Sequence, residues 1–127
     1  MTMPHPALIV LRTMATLVLS AVIGQAGWAA AGLGGESRYW SFHSLGALVT
    51  LAVCVVTAVV YVVMRKVAGA VNTVLAVLVA LVVGGQYPLG EAGHTSEHIF
   101  LGVLIAMLAT ALTSWTYRHH WEPAPTG

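Results

Sequence analysis

Charge is what this sequence has least of. Only 7% of its 127 residues are Asp, Glu, Lys or Arg, while 58% are hydrophobic. A soluble domain is about one-quarter charged, so this chain cannot cover a water-facing surface with polar groups. That excludes an ordinary cytosolic enzyme and a disordered linker. The few charges nearly cancel, 5 Lys and Arg against 4 Asp and Glu. A net charge of +1 leaves no footprint for nucleic acid. Cysteine is almost absent as well. The single Cys54 forbids an intrachain disulfide and a Cys-cluster metal site. What remains is a polytopic protein of the lipid bilayer.

A spanning helix needs about 20 mostly apolar residues. Four stretches meet this, at about Leu11–Leu33, Phe42–Met64, Ala70–Leu89 and His98–Tyr117. The connections between them are short, so successive helices are expected to be antiparallel neighbours. The β-branched run from Val53 to Val60 would favour a strand in water. In lipid only helices and closed barrels satisfy their backbone groups, and these runs are too long and continuous for barrel strands. The first span has a small-residue stretch at Ala29–Ala31 like that of a secretory signal. Its length and its polar residues at helical spacing make it a retained helix instead. The fold class is therefore an all-α membrane protein: one domain, 1–127, forming a four-helix antiparallel transmembrane bundle. The tail 122–127 reads as a short disordered end.

Arg12, Arg65, Lys66 and Arg118 lie at one side of the spans and only Arg38 at the other. The positive-inside rule then predicts a multi-pass protein with both termini inside. An Ala-, Val- and Gly-rich composition points to a bacterial plasma membrane. Glu36, Glu91, Glu97, His43, His94 and His98 gather at the outer side.

The two halves of the chain resemble each other. Val22-Ile23-Gly24-Gln25 matches Val83-Gly84-Gly85-Gln86. His43 with Gly46 below it matches His98 with Gly102 below it. A two-helix parallel repeat about an axis along the membrane normal would set His43 and His98 at one depth, facing each other. Small and polar residues recur at helical spacing in every span. The expected packed faces are Thr13, Thr16, Ser20, Gly24, Gly27 and Ala31 in the first, and His43, Gly46, Ala47, Thr50, Cys54, Thr57, Ala58 and Tyr61 in the second. In the third they are Asn72, Ala76, Ala80, Val83 and Tyr87, and in the fourth His98, Gly102, Ala106, Ala109, Thr113 and Tyr117. Small faces let helices approach closely in lipid.

Ionisable residues inside spans are expensive and mark function by default. His43 and His98 each have a glycine one turn below, where a flat ring could lie. Imidazole is a standard axial ligand of haem iron, and bundle cores hold cofactors between facing helices. No Cys-x-x-Cys-His is present, so the attachment would be non-covalent. The reading is one haem b ligated by His43 and His98, with Arg38 pairing a propionate. Gln25, Gln86 or Glu97 would hydrogen-bond a ligand imidazole.

On these residues the layout resembles one four-helix half of a haem A synthase, and small uncharacterised four-helix bacterial membrane proteins with the same Gln/His-Gly layout. In the synthase family, helices two and four of each bundle carry histidines that ligate haem. The matching residues here are His43 and His98. A Gln near the outer end of an odd helix, as in Gln25 and Gln86, is similar too. So is the string Gln86-Tyr87-Pro88-Leu89-Gly90 to the family's Gln-x-x-Leu-Gly pattern. The resemblance implies haem ligands. It does not extend to oxygenation of a haem methyl group, because the Glu before and the Arg after the first histidine, the outer-loop cysteine pair and the second bundle are all lacking.

Other readings stand beside it. His94-Thr95-Ser96-Glu97-His98 fits H-x-x-E-H, which places two imidazoles one turn apart. A metal site on His94 and His98 is one alternative, and His94 is also an alternative second haem ligand, although His98 lies deeper. A small multidrug pump would need a carboxylate in its first span, and none precedes Glu36. A non-catalytic subunit of a larger respiratory complex, or a homo-oligomer, fits the small faces equally well. With both axial positions filled, the expected task is electron transport near the outer face, to or from a quinone or a redox protein. No residue is assigned a catalytic role, so enzymatic activity stays open.

Overall fold

A computed structural model describes residues 3–123. Five helices follow one another: α1 Pro6–Leu33, α2 Tyr39–Val63, α3 Arg65–Ala68, α4 Ala70–Glu91 and α5 Thr95–Arg118. Four of them, all but α3, are long and apolar enough to cross a bilayer. The protein is a multi-pass membrane protein. The four long helices match the expected spans, with each begun or extended by a few residues. At about 1.5 Å per residue, the 22 residues of α4 reach about 33 Å, close to the roughly 30 Å hydrocarbon core. The 28 residues of α1 overhang it.

Arg65–Ala68 forms the extra turn α3, where the sequence suggested only a connection. Gly69 then takes φ +79°, a conformation closed to most side chains, and turns the chain into α4. His5 caps α1. Its Nδ1 accepts from the Ala7 N–H at 3.2 Å and Pro6 occupies the first turn. Of the disordered end expected at 122–127, Glu122 and Pro123 lie outside any helix and 124–127 lie outside the described residues.

The long helices form a ring in the order α1, α2, α4, α5, so α1 lies diagonal to α4 and α2 diagonal to α5. Connections of a few residues between helices this long make the neighbours joined in sequence antiparallel. This ring order is the one that a two-helix repeat about an axis along the bundle would give, pairing α1 with α4 and α2 with α5.

The buried positions obey this symmetry. Leu11, Ala15, Val18 and Val22 of α1 correspond at one constant offset to Asn72, Ala76, Val79 and Val83 of α4. Thr50, Cys54, Thr57 and Tyr61 of α2 correspond likewise to Ile105, Ala109, Leu112 and Thr116 of α5. Where one partner is polar or sulfur-bearing and the other aliphatic, the former always falls on α2 or α4. The polar core therefore lies on one side of the ring.

Two faces differ from expectation. In α1 the buried stripe is Leu8, Leu11, Ala15, Val18 and Val22, whereas Thr13, Thr16 and Ser20 are exposed. In α5 the stripe is turned by one residue, to Ile105, Ala109, Leu112 and Thr116. The faces of α2 and α4 agree at Thr50, Cys54, Thr57, Tyr61, Asn72, Ala76 and Val83. Hydroxyls in lipid need no neighbouring helix, because they bond back to their own carbonyls. Thr16 Oγ1 donates to Arg12 O at 2.8 Å and Thr110 Oγ1 to Ala106 O at 2.8 Å. Polar periodicity alone therefore does not tell which way a membrane helix faces.

At the end opposite the histidines the ring closes through polar contacts. The fully buried Tyr61 hydroxyl donates to Leu11 O at 2.9 Å and meets Thr116 Oγ1 at 2.8 Å. Arg12 donates to Tyr117 O at 3.2 Å, and Thr113 Oγ1 donates to Ala15 O at 3.2 Å. Beyond α5 the chain folds back. His119 Nε2 lies 2.9 Å from Val67 O, and Trp121 meets His5 edge-on at 4.9 Å.

Candidate functional site

The other end of the bundle holds the two histidines. His43 lies one turn into α2 and His98 in the first turn of α5, on diagonal helices, and both are half-buried. Their rings face each other across the axis, with centroids 6.0 Å apart and planes at 88°.

Each ring is tethered in the same way. His43 Nδ1 lies 3.1 Å from Gln25 O on α1, and His98 Nδ1 lies 3.1 Å from Gln86 O on α4. A carbonyl oxygen only accepts, so each Nδ1 carries the proton. In a neutral ring so held, Nε2 is the nitrogen with the lone pair, as in a metal-ligating imidazole whose other nitrogen is held by the protein. The main-chain carbonyls of the two glutamines do this, where the sequence reading had assigned the task to a side chain.

The glycines serve the glutamines. A Cβ at Gly46 would collide with Gln25 Nε2 and Trp28 Cζ3, and one at Gly102 would lie 3.0 Å from Gln86 Nε2. The space expected beside each histidine for a flat ring thus holds a glutamine amide. Here the two halves part. Gln86 Nε2 donates to His98 O at 2.8 Å. Gln25 Nε2 is buried and has no hydrogen-bond partner among the described residues.

His43, His98, Gln25, Gln86, Gly46 and Gly102 therefore come together. Arg38 does not join them. It is exposed before α2, 3.5 Å from Glu36, and it stacks on the Tyr39 ring. His94 is the exposed N-cap of α5, one turn before His98, whose N–H donates to its carbonyl at 2.9 Å. Among the described residues no three His, Cys, Asp or Glu side chains gather, so the H-x-x-E-H string lacks the further ligands of a zinc site.

Three neighbours escaped the sequence reading. Gly90 lets His98 lie close, since a Cβ there would be 2.8 Å from its Cε1. Trp40 packs edge-on to His43 at 6.1 Å and rests on Gly32. Trp28 covers Gly46. The signal available was helical spacing: Gly90 follows Gln86 by one turn, and Trp28 follows Gly24.

The two imidazoles are the one pair of nitrogen donors that the site brings together, with ring centroids 6.0 Å apart. No protein-family model, curated protein or solved structure matches this chain. Function is read from the site alone.

Proposed function

We propose that the chain is a membrane-embedded b-type haem protein, with His43 and His98 as axial ligands and electron transfer as its task. The carrying observation is the pair of facing imidazoles, each held through Nδ1 by a main-chain carbonyl of the adjacent helix. When bound, haem supplies a centre that takes up and releases single electrons. The chain's own residues set the terms of that chemistry. Gln25 O and Gln86 O fix both tautomers, keep both Nε2 atoms basic and hold the rings at crossed angles. With both histidines holding it, a haem would be suited to electron passage rather than oxygen binding. The resemblance to one half of a haem A synthase supports the same ligand pair. The Lys and Arg distribution supports a plasma-membrane topology with both termini inside and the histidines near the outer face.

An absorption spectrum of the detergent-purified protein, oxidised and then reduced with dithionite, tests this. A Soret band that shifts on reduction, with sharp α and β bands, is expected. A protein that stays colourless after haem is supplied during expression overturns the proposal.

A further inference from the structure

The end of the bundle opposite the histidines carries uncompensated positive charge. Arg12, Arg65, Lys66 and Arg118 lie there, and Glu122 is the one acidic side chain near them. Among the described residues the ion pair that forms is Arg38 with Glu36, at the other end. Arg12 is spent on the bundle, donating to Tyr117 O and lying 5.4 Å over the Tyr117 ring. Arg118 is spent differently. It lines a cavity of about 270 Å³ together with Trp115, His119 and His120. Pockets for drug-sized molecules begin at about 300 Å³, so this one suits a small charged group.

The lining is held in place by the fold. Arg118 Nε donates to Ser114 O at 3.3 Å and its Nη2 to Ser114 Oγ at 3.0 Å. The guanidinium lies 5.1 Å over the Trp115 ring. His119 is anchored on α3, where its Nε2 donates to Val67 O at 2.9 Å, and it packs on Gly69. The chain leaves α5 at that anchor and brings the exposed His120 to the same cavity. Ser114 takes only part of the Arg118 fork, and no carboxylate lines the cavity. A guanidinium keeps its charge at any physiological pH, and its planar donors match a phosphate.

The place of the cavity says which phosphate. Thr113 and Tyr117 turn toward α1, whereas Trp115 and Arg118 are exposed. Ala111 and Met107 continue their side of α5 at helical spacing, and Met107 is 64% exposed. In a bilayer this side meets lipid, with donors and a tryptophan at its rim and an apolar track below. A dissolved anion would use the rim alone. A zwitterionic headgroup would bring an ammonium, for which the cavity offers no carboxylate.

We propose that this cavity binds the headgroup of an anionic phospholipid. Arg118 and His120 donate to the phosphate, and an acyl chain runs along Trp115, Ala111 and Met107. The attraction of basic residues to an anionic leaflet supplies the charge complement. The inference is independent of the haem reading, since the cavity lies at the opposite end of the bundle.

Native mass spectrometry of the full-length protein tests this. The protein is released from neutral micelles holding equal amounts of phosphatidylglycerol and phosphatidylcholine with the same chains. Preferential retention of phosphatidylglycerol, saturating at a single lipid per chain, is expected. Arg118→Gln removes hydrogen bonds to a charged group and should weaken retention about tenfold. Arg65→Gln removes the same charge outside the cavity and should change it less than about twofold at roughly 0.15 M salt, where diffuse attraction is largely screened. His120→Ala should also weaken it, and serves should Arg118→Gln not fold. Phosphatidylglycerol with brominated chains should quench tryptophan fluorescence, and Trp115→Phe should remove most of that quenching. Equal retention of the two lipids, equal weakening by Arg65→Gln and Arg118→Gln, quenching that survives Trp115→Phe, or displacement by inorganic phosphate at the lipid's own concentration overturns the proposal.

Discussion

The two halves of the bundle are built on one plan and differ in their polar groups. Ala15, Val18, Val22, Gln25 and His43 recur as Ala76, Val79, Val83, Gln86 and His98. These positions space the helices and hold the imidazoles. The exchanges at the remaining core positions, Thr50 for Ile105 or Thr57 for Leu112, leave the architecture unchanged. The shared plan thus supplies a symmetric pair of imidazoles, and the exchanges around it make one side polar. Shared positions carry the fold and the facing histidines, while unshared ones carry what distinguishes the sides.

The strongest test of the shared part is to remove either ligand. His43→Ala and His98→Ala should each abolish the six-coordinate haem spectrum, and to the same degree. A large inequality between the two would break the symmetric reading. Next come the glycines. Gly46→Ala forces Gln25 and the Trp28 ring aside and should cost about 1–3 kcal/mol, as overpacking does. Gly102→Ala meets only the end of the flexible Gln86 side chain, at 3.0 Å, and should cost clearly less. Reversible unfolding in mixed detergent micelles measures the difference. At the other end, Tyr61→Phe removes hydrogen bonds to Leu11 O and Thr116 Oγ1. Bonds between membrane helices average about 0.6 kcal/mol, so the loss should be about 1 kcal/mol in the same assay. The smallest effect is expected at Thr57, whose buried hydroxyl has no partner among the described residues and whose counterpart is Leu112. Thr57→Val should be neutral or stabilise by up to about 1 kcal/mol. A clear destabilisation would mean that a bound water or ligand uses that hydroxyl.

The spans were legible in the sequence because a bilayer demands length and apolarity, and both are counted directly. The pairing of His43 with His98 was legible because the repeat brings equivalent residues to one depth. The unequal sequence distances from glutamine to histidine concealed how alike the two sites are. The longer helix ends and loop after Gln25 absorb the difference, and both Nδ1 contacts come out at 3.1 Å. The packed face of α1 was not legible. Lipid rewards neither face of a helix for being apolar, so Thr13, Thr16 and Ser20 gave no direction. Nor could the role of Gly46 be read: it appeared as room for a cofactor and proved to be the seat of a glutamine amide.

The ring order has a consequence for how the protein is made. α5 leaves the ribosome after α1, α2 and α4, yet it closes the ring against α1 through Thr113 and Tyr117. It also brings the second imidazole. Until α5 is in place, His43 has no facing imidazole and the seam against α1 is open. On the proposed haem reading, uptake of the cofactor would wait for α5 to insert.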